Sequence, residues 1–160
     1  MRQYSYAAWS LVLIYSSPET SGHQLYLFDD FDFVENDSLE LPVSGFLAPN
    51  DPTGSKATFF VGEGDAGYTG DGVYFNGHAL SDAVNPANNV WNSYSNALPN
   101  PSINGIDLDT FDISPYIEPN DTSAEVELYS NMEIYNCIYV LLSFRSNAAF
   151  GGVISFSISH

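Results

Sequence analysis

Apolar runs of strand length recur along this chain, each closed off by glycine, proline, asparagine or serine, and none keeps a 3.6-residue period long enough for a stable helix. "AWSLVLIY" (8–15) is apolar on both faces and predicts a central strand. "HQLYLF" (23–28) alternates, and "DDFDFVE" then places Phe31 and Phe33 on one face with Asp30 and Asp32 on the other. In "SLELPVSGF" (38–46) Leu39, Leu41 and Val43 alternate, and Pro42, which has no amide hydrogen to donate, predicts an edge strand. "KATFFVGEG" reads as a strand running into a loop. "DGVYFNGHAL" reads as a strand followed by an Asn76-Gly77 hairpin turn, a pair that tolerates positive φ at both central positions. Residues 81–104, rich in Asn, Pro and Ser, predict a long loop, and Ser114 with Pro115 in "SPYIEP" predicts a short capped helical turn. The runs at 105–114, 123–130, 134–146 and 152–159 bring the expected total to about nine or ten strands.

Many short strands with turn signals every 8 to 15 residues predict an all-β, two-layer antiparallel β-sandwich of jelly-roll type, with the segment at 138–144 near the middle of a sheet. Composition agrees: aromatics make up 15% of the chain and helical charge patterns are missing. With 160 residues, 44% of them hydrophobic, and no repeat or linker, residues 1–160 read as a single domain.

Three Lys and Arg against twenty Asp and Glu give a formal charge of −17, which repels phosphate backbones and anionic headgroups. Nucleic acid is therefore excluded as a partner, and the apolar stretches fall short of the roughly 18 residues of a membrane span, so no direct membrane insertion is expected. Such acidity fits a protein kept soluble in a salty or calcium-containing exterior, although a halophilic cytosol would select for it as well. No signal peptide is recognisable at the amino terminus, so an exported form would carry its export and anchoring signals elsewhere. The single cysteine, Cys137, lies in the apolar run "IYNCIYVLLSF" and reads as a buried small hydrophobe.

The glycine-rich stretch "GEGDAGYTGDGVYFNG" (62–77) poses the main functional question. Calcium takes six to eight oxygen ligands on a flexible loop, and Glu63, Asp65 and Asp71 with exposed glycine carbonyls offer some of them, without the D-x-D-x-D-G spacing of a dedicated loop. In "IDLDTFDIS" the two-residue period puts Asp107 and Asp109 on one strand face. Side-by-side carboxylates repel, and solvent exposure relieves this more readily than a shared cation does. Trp91 and Tyr94 in "NNVWNSYSN" have the chemistry to stack on a sugar ring, with Tyr68 and His78 as weaker ligand candidates; against this, Trp91 as an anchor pinning the long loop onto the sandwich is the favoured reading. His23, His78 and His160 lack zinc-site spacing, and no nucleophile elbow, P-loop or dinucleotide fingerprint appears. No catalytic residues are singled out, and an enzyme is not expected.

"DGVYFNGHAL" and "IDLDTFDISPYIEPNDTSAEVEL" are similar to the galactose-binding-like jelly-roll modules attached to many glycoside hydrolases. Together with "YAAWSLVLIYSSPETSGHQLYLFDDF", "GEGDAGYTGD" and "NNVWNS", the chain also resembles a domain of unknown function recurring in secreted and surface-attached proteins of bacteria and archaea. The resemblance implies a jelly roll and an extracellular or cell-surface location, and carries no established catalytic residues. Its long 81–104 loop departs from the typical sugar-binding module. The expected function is a non-catalytic structural or adhesive module, with itself or other surface-protein subunits as partners in a surface layer, pilus or filament; the alternative is a carbohydrate-binding module using the 62–78 and 85–96 loops. Calcium is the one cofactor expected.

Overall fold

A computed structural model describes residues 7–15 and 17–148. Nine strands form among them: β1 (His23–Phe28), β2 (Asp32–Glu35), β3 (Ser38–Ser44), β4 (Lys56–Gly62), β5 (Asp71–Phe75), β6 (His78–Ala79), β7 (Ile106–Asp112), β8 (Ser123–Ser130) and β9 (Ile134–Arg145). They build two antiparallel sheets. In the five-stranded sheet the order is β1-β9-β4-β7, with β2 pairing β9 beyond the end of β1; the four-stranded sheet runs β3-β8-β5-β6. The chain changes layer at six of the eight connections between these strands, so most strands consecutive in sequence lie in opposite sheets. This winding gives the expected two-layer β-sandwich.

The two-residue period decides which side chains fill the space between the layers. Ala57, Phe59 and Val61 of β4 face inward, as do Tyr135, Cys137, Val140, Leu142 and Phe144 of β9. The inward spacing in β9 changes because its pairing with β4 shifts between Phe60 and Val61, leaving Ile138 as the extra residue of a bulge. Phe144 stacks flat on Phe46 at 4.8 Å and meets Tyr26 edge-on at 5.7 Å, closing one end of the core. Cys137 is buried among these residues, and loss of water pushes its thiol up to about 12, so it stays a protonated hydrophobe.

Several sequence expectations hold residue by residue. Pro42 lies in β3, an edge strand, and β9, pairing on both sides, is central. Asn76 (φ 49°) and Gly77 (φ 76°) both adopt the left-handed region and form the β5–β6 turn. Residues 81–104 contain no strand, only a single bridge between Tyr94 and Ser102. The turn at Ser114–Tyr116 forms, but Ser114 is its first residue rather than its cap. The Ser114 hydroxyl instead accepts the amides of Gly54 and Ser55, both at 3.1 Å.

Two expectations are corrected. Residues 8–15 are not a central strand: they pair with no strand of either sheet, and Trp9 (86% exposed), Leu13 (73%) and Tyr15 (76%) stand in solvent. A run apolar on both faces forms a central strand only if neighbours flank both its edges, and among the described residues no strand pairs with it. Ala8, Trp9, Ser10 and Val12 instead lie along a cleft against Phe60 and Tyr139, with the Ser10 and Tyr139 hydroxyls 2.9 Å apart. Phe31 and Phe33 are not one strand face, because Phe31 sits in a left-handed break (φ 57°) between β1 and β2 while Val34 supplies the inward contact. The apolar run at 152–159 lies outside the described residues.

Candidate functional site

Buried polar groups gather at one end of the sandwich. There the 62–71 loop and the 85–96 segment close over the end of β4 and the starts of β5 and β7. Asp71, Asp107 and Asp109 are each fully buried, and Glu133, in the β8–β9 turn, nearly so. The expectation of solvent exposure for Asp107 and Asp109 is therefore overturned. Both do share one face of β7, but it is the inward face, which they occupy together with Phe111.

Local chain chemistry explains much of the cluster. The Asp71 Oδ1 accepts the amides of Val90 and Trp91 at 2.7 and 2.9 Å, so the 85–96 segment folds back onto the first residue of β5. Asp109 Oδ1 accepts from Asn85 Nδ2 at 2.8 Å and from the Asn96 amide at 2.9 Å. Asp65 donates its amide to Glu133 Oε1 at 2.7 Å, tying the glycine-rich loop to the β8–β9 turn. Ser93 Oγ donates to the Gly64 carbonyl and accepts the Gly105 amide. Asn96 caps the outer edge of β7: its side chain donates to Thr110 O at 3.1 Å and accepts the Thr110 amide at 2.8 Å, as a neighbouring strand's peptide would.

These bonds do not satisfy every buried polar atom. Seven buried oxygens of the cluster lack a partner at full hydrogen-bond geometry, Asp71 Oδ2, Asn85 Oδ1, Asn89 Oδ1, both oxygens of Asp107, Asp109 Oδ2 and Glu133 Oε2, as does one donor, Trp91 Nε1; the Asp71 and Glu133 side chains face each other and share a proton. Burial raises the Asp107 carboxyl to about 8, helped by the neighbouring Asp109, and the approach of the Ser93 and Asn92 amides offsets only part of that. Asp109 is raised to about 6, again chiefly by burial. Glu133 is raised by burial and by the adjacent Asp71.

The sign of the pH dependence follows. The folded state holds its protons on Asp107 and Asp109 to higher pH than the unfolded chain, whose carboxyls ionise near 3.8. Their contribution to stability is therefore complete below about pH 4 and is lost as pH rises through 6 and then 8. Thermal melts in chelator are expected to show a falling Tm from pH 5 to pH 8, with a shallower fall in Asp107→Asn. A Tm rising over that range would contradict the burial of the pair.

The other expected site residues are scattered. Trp91 is fully buried, its ring packed 5.6 Å from Phe59 and 5.9 Å from Tyr135, so it offers no face to a sugar and anchors the long loop instead. Tyr68 and Tyr94 are exposed on the two loops. His78 stacks on Tyr116 at 4.6 Å, beyond the far end of β5 from Asp71. Glu63 takes a left-handed conformation (φ 74°) and Asp65 is exposed, with only its amide directed into the cluster. No sequence pattern marks Glu133, a lone acid in "SNMEIYN", or Asn85, Asn89 and Asn96; the density of Asn in 85–96 is the one available signal. Among the described residues no three His, Cys, Asp or Glu side chains converge as a ready-made metal cage. No protein-family model matches the chain, and no curated protein matches it.

Proposed function

We propose that the protein is a non-catalytic structural module of a cell exterior, a subunit that joins copies of itself or other surface-protein subunits in a layer, pilus or filament. The observation that carries this reading is the exposed apolar segment 7–15. Trp9, Leu11, Leu13, Ile14 and Tyr15 form a β-compatible run that the sandwich does not cover. Scattered exposed apolar residues are ordinary, but a contiguous run of this kind is a contact surface or an aggregation hazard, and an extended segment pairs readily with an open sheet edge. The charge of −17 favours the exterior part of the reading, since it keeps such a subunit soluble until it docks. A carbohydrate-binding role has less support, because Trp91, its best stacking residue, is in the core.

The test is assembly. The full chain is expected to sediment as larger species with rising concentration and to show ordered oligomers or filaments in electron micrographs, whereas a chain lacking residues 1–15 stays monomeric with an unchanged Tm. Dispersed monomers of the full chain at high concentration would sink the proposal, and so would assembly that is indifferent to the deletion.

A further inference from the structure

The two sheets turn different surfaces outward. On the four-stranded sheet the outward positions include Glu40, Glu125 and Glu127, and Glu40 stands directly across from Glu127. On the five-stranded sheet the same alternation turns Leu25 of β1, Phe33 of β2, Phe60 of β4, Leu108 of β7 and Leu141 of β9 away from the core. An antiparallel sheet with one solvated face carries polar residues there, so an apolar set spread over all five strands belongs to a face that is covered. Residues 7–15 cover part of it. Ser10 and Val12 turn toward the sheet, with the Ser10 hydroxyl on that of Tyr139, and Phe60 beneath them is buried. The cover is itself apolar on its outside: Trp9, Leu11, Leu13 and Tyr15 stand in solvent, as do Leu25 and Phe33 beside them on the sheet.

Charge identifies what fits this face. At a formal charge of −17, copies of the chain repel one another over most approaches. The outer face of the five-stranded sheet is the exception. Among its described strands only Glu35 and Asp112 turn a carboxylate outward. Two of the chain's three Lys and Arg, Lys56 and Arg145, lie together at one end of it beside His23. Asp112 stands across from Lys56 at that same end, and Glu35 lies at the opposite end, across from Ile134.

We propose that a second copy of the chain covers this face, the two packing five-stranded sheet to five-stranded sheet about a two-fold axis, with both 7–15 segments between them and their strands antiparallel. The proposal rests on the assembly argued above and gives it a surface and a geometry. The alignment follows from the charges. Parallel strands would set Lys56 and Arg145 of one copy against the same pair of the other, whereas antiparallel strands carry that end over Glu35 of the other copy. The area is sufficient: a whole aromatic side chain buries about 150–250 Å², so three exposed rings and three exposed leucines from each of two copies reach the roughly 1,000 Å² that a specific interface requires.

Sedimentation of the full chain over a range of concentrations is expected to resolve a monomer–dimer equilibrium. Leu25→Glu places a carboxylate in the face and is expected to raise the dimer Kd about thirtyfold or more, the effect of a central interface residue. Phe33→Ser probes the same face without a charge. Both positions lie outside the core, so both variants should melt within about 3 °C of the unaltered chain. Glu40→Gln, on the outer face of the other sheet, should leave the Kd unchanged. Lys56→Glu should weaken the dimer, and adding Glu35→Lys should restore it. If Leu25→Glu and Phe33→Ser dimerise as the unaltered chain does while deletion of residues 1–15 still abolishes assembly, the segment acts on another surface: the face is overturned and the assembly reading stands. A full chain that is monomeric at every concentration overturns both. A double variant as weak as Lys56→Glu alone overturns the antiparallel alignment.

Discussion

Trp91→Ala is expected to lower Tm by about 6–20 °C, following from a loss of about 3–5 kcal/mol when a buried tryptophan is truncated and about 2–4 °C per kcal/mol in a domain of this size. The indole fills the space between Phe59 and Tyr135, on the inner face of the five-stranded sheet. Asp71 accepts the amides of Trp91 and of Val90 just before it, so the ring and the backbone hold the 85–96 segment together. Removing the ring leaves a cavity that Asp71 cannot follow into, because its own position is fixed by β5. Tyr94→Ala, three residues on and 40% exposed, is the internal control, with an expected change within about 0.5 kcal/mol. Calorimetry on the two variants separates an anchor from a ligand platform. A Trp91→Ala protein melting within about 2 °C of the unaltered chain would be incompatible with the burial described.

Gly64→Ala is the second large effect. The added methyl meets the end of the buried Asp107 side chain on one side and the Trp91 backbone carbonyl on the other, and the backbone group cannot swing aside alone. Overpacking of this kind costs about 1–3 kcal/mol, and here the upper end is expected because relief requires a shift of the 85–96 backbone. The Tm should fall by about 6–12 °C. Gly67→Ala in the same loop meets nothing within 4 Å and should be neutral or gain up to about 1 kcal/mol through the unfolded state. If both glycines tolerate alanine equally, the close approach at Gly64 is wrong.

Most of the architecture was legible because strand period and turn chemistry are local. Pro42 marks an edge by its missing donor, and Asn76-Gly77 marks a hairpin by the φ it tolerates; neither needs knowledge of the rest of the chain. Residues 8–15 defeat the same logic. Their pattern specifies a strand with partners on both sides, and a sequence shows no partners. The Asp107–Asp109 pair fails differently. The period places both on one face correctly, but Ile106 and Leu108 occupy the other, and hydrophobicity favours turning those two inward. Phe111, on the aspartate face, is the residue whose burial decides the matter, together with the Asn85 and Asn96 hydrogen bonds that make a buried Asp109 tolerable. Those partners come from a loop with no period of its own, and a site assembled from such a loop is unreadable until the chain is folded.

The cap that Asn96 places on β7 gives the molecule a direction. Thr110 already exchanges its amide and carbonyl with a side chain, and the Ser95 hydroxyl takes the Leu108 carbonyl beside it. That flank of the five-stranded sheet is closed to an incoming strand, while the β1–β2 flank carries no such plug among the described hydrogen bonds. Copies joining this sheet through main-chain pairing must therefore arrive from one side only. A head-to-head pair through β7 is ruled out, and edge-to-edge pairing of two copies through the one open flank closes a two-fold pair, so an extended array would need a second, different surface such as residues 7–15.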